Sequence, residues 1–288
     1  DTVPVTVLAA PSGGGSSSPS TTYPHLPSGL TQLFQFDGNG LPSGWTGSGM
    51  SVGAGNNATW AATPSFPGAS SAPVDGPTVY DVLYPAGLQP GTAPAGLWMW
   101  KDNSFQQQTE YYEAGWFSLP GSDFEGPGST GEWKMLGYWA VGQGWPGGYD
   151  AQIYTLISPV NVTGHTVAGT VASSWSFSVR AQQQVAWAAY PNGSLNIQCG
   201  KWYRYEIHMI LENPVGAANG ILEVWLTNVT DGGSPVKILS FSDRTYRNSS
   251  NTAGFWKRSF VPVWGGGGPA TKTRNDHLQI ARMAAWGR

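Results

Sequence analysis

The chain has 288 residues, enough for one large domain, and only 11% of them are charged, against about 25% in ordinary soluble domains. Its formal net charge is −3 with no basic run, which argues against nucleic acid and anionic membranes as partners. No apolar run approaches the ~20 residues of a membrane-spanning helix.

In chain order, residues 1–10 read as an isolated strand. Val3, Val5 and Val7 alternate with Thr2, Pro4 and Thr6, the period-2 pattern of a half-buried strand. Residues 11–29, rich in Gly, Ser and Pro, read as a flexible tether of about nineteen residues, with a root-mean-square reach of roughly 24 Å. Because the chain opens at Asp1 without a methionine, it is expected to be a processed form, a fragment or part of something longer.

Residues 30–288 form one body in which strand and turn signals alternate. Strands are expected at 33–36, 96–100, 110–117, 132–139, 175–180, 185–187, 201–211, 220–227, 236–241 and 278–286. Stretches 43–76 and 118–131 read as long loops. Helical periodicity is absent, so the chain is all-β, an antiparallel sandwich with a detached N-terminal strand. Within 201–211, Tyr203, Tyr205, Ile207, Met209 and Leu211 are expected to face the core, leaving Trp202, Arg204, Glu206 and His208 on the other side. Leu222, Val224 and Leu226 make the matching inward face of 220–227, with Glu223 and Trp225 outward.

Cys199 is the single cysteine, so no intrachain disulfide exists, and it reads as a small buried hydrophobe. Glycosylation sequons stand at Asn57, Asn161, Asn192, Asn228 and Asn248, where chance would give roughly two. With a surface kept soluble by neutral polar groups, they point to an extracellular or cell- or particle-surface protein. His25, His165, His208 and His277 lack the spacing of a zinc site. Asp37-Gly38-Asn39-Gly40 and Asp123-Phe124-Glu125 could offer oxygens to calcium but lack an EF-hand layout, so they read as turns, and no cofactor or metal is expected.

The strand at 201–211, its Gly-rich turn, the strand Gly220 to Asn228 and the closing Asn275-Asp276-His277-Leu278-Gln279-Ile280 together resemble the concanavalin A-like (laminin-G-like) jelly rolls. That resemblance implies glycan recognition on a sheet face. Trp202, Trp225, Glu206, Glu223 and Arg180 are then the candidate glycan contacts, since sugars need flat aromatic platforms and planar hydrogen-bonding groups. The resemblance also admits a polysaccharide lyase, for which Arg204, Glu206 and His208 at spacing i, i+2, i+4 are the candidates. Arg would neutralise a uronate and His would act as base. No Glu-X-Asp-X-X-Glu stretch of a glycoside hydrolase occurs; Glu110 and Tyr112 share one face and Glu113 takes the other.

Three functions compete. The first is a non-enzymatic structural subunit that polymerises by adding its N-terminal strand to another copy of itself. Burying three valines would contribute roughly 4–9 kcal/mol before entropic losses. The alternatives are a carbohydrate-binding module and a polysaccharide lyase.

Overall fold

The computed structural model describes residues 23–36, 58–62, 78–89, 91–94, 97–99, 108–126, 133–142, 150–159, 171–183, 185–189, 195–248, 252–260, 262, 264 and 271–288. Val3, Val5, Val7, Asn57, Asn161, Asn192 and the Asp37–Gly40 turn lie outside them.

The described residues contain no helix. The strands are β1 (Thr31–Phe36), β2 (Ala58–Ala62), β3 (Thr78–Tyr84), β4 (Leu97–Met99), β5 (Glu110–Ser118), β6 (Phe124–Glu125), β7 (Trp133–Val141), β8 (Ala151–Pro159) and β9 (Val171–Ala172). They continue with β10 (Ser174–Gln182), β11 (Trp187–Ala189), β12 (Ile197–Gln198), β13 (Trp202–Ile210), β14 (Gly220–Asn228), β15 (Val236–Arg244), β16 (Phe255–Phe260) and β17 (Asp276–Gly287). The stretches read as loops therefore hold β2 and β6, and β3, β8, β9, β12 and β16 add five strands that the sequence did not announce.

Two antiparallel sheets make the sandwich. Sheet A runs β15-β14-β13-β5-β17-β3-β2, and sheet B runs β11-β10-β8-β7-β16-β4 with β12 also on β10. Strand β17 is long enough to pair with two partners along one edge. Its first half, Asp276 to Ile280, meets β3, and its second half, from Met283 to Gly287, meets β1.

Alternation along β13 and β14 sends Tyr203, Tyr205, Ile207, Met209, Leu222, Val224 and Leu226 into the main core, as expected. Sheet B answers with Trp139, Ile153, Ile157, Trp175, Phe177 and Val179. On β5, Gly115 lies opposite Tyr205 of β13, and a Cβ there would come within 2.4 Å of the Tyr205 ring. Glycine at this position lets the Tyr205 hydroxyl reach Glu113 at 2.5 Å.

The outer face of sheet A is covered: β5 is buried along its whole length and β13 along all but its last residue. Part of the cover is residues 23–30, assigned from sequence to the tether and its junction. Tyr23, Leu26 and Leu30 pack against Tyr112, Ala114, Ala284 and Trp286. Gly29, at φ +79°, makes the turn into β1.

Candidate active site

Register builds the outer face of sheet A in rows. Arg204 on β13 pairs with Thr227 on one side and Trp116 on the other, and Trp116 pairs onward with Arg282 of β17. The next row is Trp225, Glu206, Ala114 and Ala284, and the one after it Glu223, His208, Tyr112 and Trp286. Period-2 alternation puts all three rows on one face.

Trp116 stands between two cations, with the guanidinium carbons of Arg204 and Arg282 lying 5.7 Å and 5.9 Å from its ring centroids. Arg204 also pairs with Glu206 at 3.0 Å and donates to Thr227 Oγ1 at 3.3 Å. In the middle row the Glu206 carboxylate is wholly buried, and its Oε2 accepts from the Tyr112 hydroxyl at 2.5 Å. Burial, and then the Glu206 charge, hold the Tyr112 hydroxyl well above the ordinary phenol range, so it stays protonated.

His208 is gripped from both sides. Its Nε2 lies 2.8 Å from Glu110 Oε1, and its Nδ1 lies 3.5 Å from Glu223 Oε2. Glu110 is held by Arg288 at 2.6 Å and Glu223 by Lys237 at 2.7 Å. Burial works to raise the Glu223 carboxyl, but Lys237 and His208 outweigh it and keep it below the usual carboxylate range. The shorter contact orients the imidazole with Nε2–H toward Glu110, and Nδ1 faces the more distant Glu223 carboxylate.

Over these rows lies His25. Its ring stacks on Trp225 with centroids 4.2 Å apart and planes 9° apart. Its backbone N–H and its Nδ1 reach the same Glu206 Oε2, at 3.2 Å and 3.0 Å. Nearby, Tyr23 meets Trp116 and Trp286 edge-on at 5.7 Å and 4.7 Å.

Arg204, Glu206 and His208 do share one face, as their spacing predicts, joined by Trp225 and Glu223. Two of the expected glycan contacts do not fit. Trp202 is wholly buried in a cluster with Val79, Trp116 and Ala281, so its ring offers no platform. Arg180 belongs to β10 of sheet B, on the opposite sheet from the others.

Sequence reasoning missed Trp116, Arg282 and the two covering residues Tyr23 and His25. Tyr112 was placed beside Glu110 but given no role. Period 2 along β5 puts Trp116 with Tyr112, whereas Arg282 follows a register irregularity between Ile280 and Arg282 that breaks the count.

Away from this face, Asp123 pairs with Arg274. Glu125 accepts from the backbone N–H groups of Thr273 and Arg274 at 2.9 Å and 3.1 Å and pairs with Lys272 at 3.4 Å. Among the described residues no three His, Cys, Asp or Glu side chains converge as metal ligands.

The sequence matches no protein-family model and no curated protein. Solved structures do match in shape. The alginate lyase Aly36B superposes with a TM-score of 0.52 at 11% identity, over 73% of this chain and 81% of its own. The marine PL-14 alginate lyase of Aplysia kurodai gives 0.53 at 10% identity, over 81% and 87%. The Chlorella virus alginate lyase vAL-1 gives 0.51 at 14% identity, over 87% and 95%. The shared feature is the jelly-roll sandwich. This overturns the leading expectation from sequence, a filament subunit joined by strand addition: all three of these structures are alginate lyases.

Proposed function

We propose that the chain is a polysaccharide lyase that cleaves a uronic-acid polymer by β-elimination on the outer face of sheet A. The observation that carries this reading is the row in which Arg204 and Arg282 flank Trp116, on the same face as His208 and Tyr112 and separated from them by the row of Glu206.

Elimination begins at the ring carbon beside the uronate carboxylate, whose proton is too weakly acidic to leave unaided. Arg204 and Arg282 neutralise that carboxylate and stabilise the charge that develops on it. In this step His208 acts as a neutral imidazole and substrate takes the place of Glu223 at Nδ1, which accepts the proton while Glu110 holds the ring through Nε2. The electron pair of the broken C–H bond forms the new C=C bond, and the glycosidic C–O bond breaks. Tyr112, kept protonated by its surroundings, gives its proton to the departing oxygen. Solvent then returns a proton to Tyr112 and removes one from His208.

The similarity to alginate lyases supports trying alginate first among uronic-acid polymers. The test is a rise in ultraviolet absorbance from unsaturated products when the protein meets such polymers, abolished by Arg204→Ala. No product from any of them refutes the reading.

A further inference from the structure

His25 touches Trp225 and Glu206 in the manner of a bound sugar. A pyranose on a tryptophan lies parallel to the indole at van der Waals distance, and its hydroxyls donate to a nearby carboxylate. The His25 ring lies parallel to Trp225 at 4.2 Å, and two donors of the same residue converge on one oxygen of Glu206.

The rest of the segment explains how that contact can be exchanged. No residue of 23–30 is in a strand, and Leu26 N–H closes a short turn onto the Tyr23 carbonyl at 3.2 Å. Tyr23, Leu26 and Leu30 anchor on the apolar patch around Ala114, Ala284 and Trp286, while His25 reaches across to Trp225. Its side chain keeps 28% of its exposure, whereas Glu206 keeps none. Displacing residues 23–26 leaves Leu30 packed on that patch. The displacement uncovers a carboxylate and an aromatic face beside Arg204, which pairs with Glu206 at 3.0 Å.

The geometry points to Trp225 and Glu206 as a saccharide subsite that His25 occupies as a built-in mimic, so that a uronic-acid oligosaccharide binds by displacing residues 23–26. The ligand class follows from the chemistry: a pyranose with vicinal hydroxyls to donate to Glu206 and a carboxylate for Arg204. This rests on the outer face of sheet A being the saccharide site proposed above. It adds that the site is closed from within, so that apparent affinity is reduced by the fraction of molecules in which His25 is in place.

The experiment uses the full chain, wild type and His25→Ala, with a uronic-acid tetrasaccharide as probe. Binding is read by tryptophan fluorescence after rapid mixing, and amide exchange is followed in the wild type. His25→Ala should bind about tenfold more tightly or better, a gain that Trp225→Ala in the same chain removes. In the wild type, the oligosaccharide should speed exchange of the His25 and Leu26 amides, which are hydrogen-bonded in the closed state. Equal affinity of wild type and His25→Ala, binding by neither, or amides still protected in the complex would overturn the inference. A gain in binding without unsaturated product sinks the lyase reading and leaves the subsite standing. Turnover unaffected by His25→Ala, with equal affinity, does the reverse.

Discussion

Arg258 on β16 closes on both oxygens of Glu113 on β5, Nε to Oε2 at 2.7 Å and Nη2 to Oε1 at 2.6 Å, with both side chains wholly buried. The pair ties sheet B to sheet A, and the hydroxyls of Tyr111 and Tyr205 donate to the same carboxylate at 2.5 Å. Arg258→Met leaves that charge without its cation and should cost about 3–5 kcal/mol in urea unfolding. Adding Glu113→Gln, which removes the orphaned charge but keeps an acceptor for the tyrosines, should recover part of the loss.

Gly115→Ala tests the packing beside that pair. The new methyl would meet Tyr205 at 2.4 Å and push its hydroxyl off Glu113. A loss of about 1–3 kcal/mol is expected, together with a changed near-ultraviolet circular dichroism signal from the displaced ring.

Lys134 offers a pH test on sheet B, where its Nζ lies 3.7 Å from the centroid of the Tyr154 ring. Burial, and then the nearby charge of Arg180, lower its ammonium from 10.5 to about 8. Between those values the unfolded chain binds more protons than the folded one, so this residue makes stability rise with pH across that window. Its destabilising effect is fully present below the folded value. Melting temperatures of wild type and Lys134→Met should differ most below that window, with the variant more stable, and converge above it.

Burial pushes the Cys199 thiol up to about 12, and Sγ lies 3.7 Å from the Ala172 carbonyl oxygen. Near neutral pH it therefore presents almost no thiolate. Iodoacetamide should leave the folded protein unmodified and alkylate one thiol per chain in denaturant, as counted by intact mass.

Tyr112→Phe removes the proposed proton donor while leaving the ring beside Trp286. If the lyase reading holds, kcat should fall roughly 10²–10⁴-fold with little change in KM. A raised KM with kcat unchanged would assign Tyr112 to substrate binding instead.

The hairpin of β13 and β14 was legible in the sequence because one of its faces is consistently apolar, so its inward residues stood out at period 2. Strand β8 hid that contrast: Ile153 and Ile157 point into the core while Tyr154 and Leu156 are buried in a cluster on the other side. Strand β16 carries Arg258, which reads as a surface residue until its partner 145 positions away is known. The site was half legible for the same reason. Arg204, Glu206 and His208 share one strand and announce themselves by spacing, but His25 meets Glu206 across 181 positions, a contact no local periodicity encodes.

Among the described strands, β15 forms the border of sheet A, and Lys237, Ser240, Ser242 and Asp243 stand exposed along it. Its pairing with β14 is interrupted by two register irregularities. A neighbouring ribbon trying to continue the ladder would have to dehydrate those charges and follow a twisted rim. This margin is thus guarded against sideways growth.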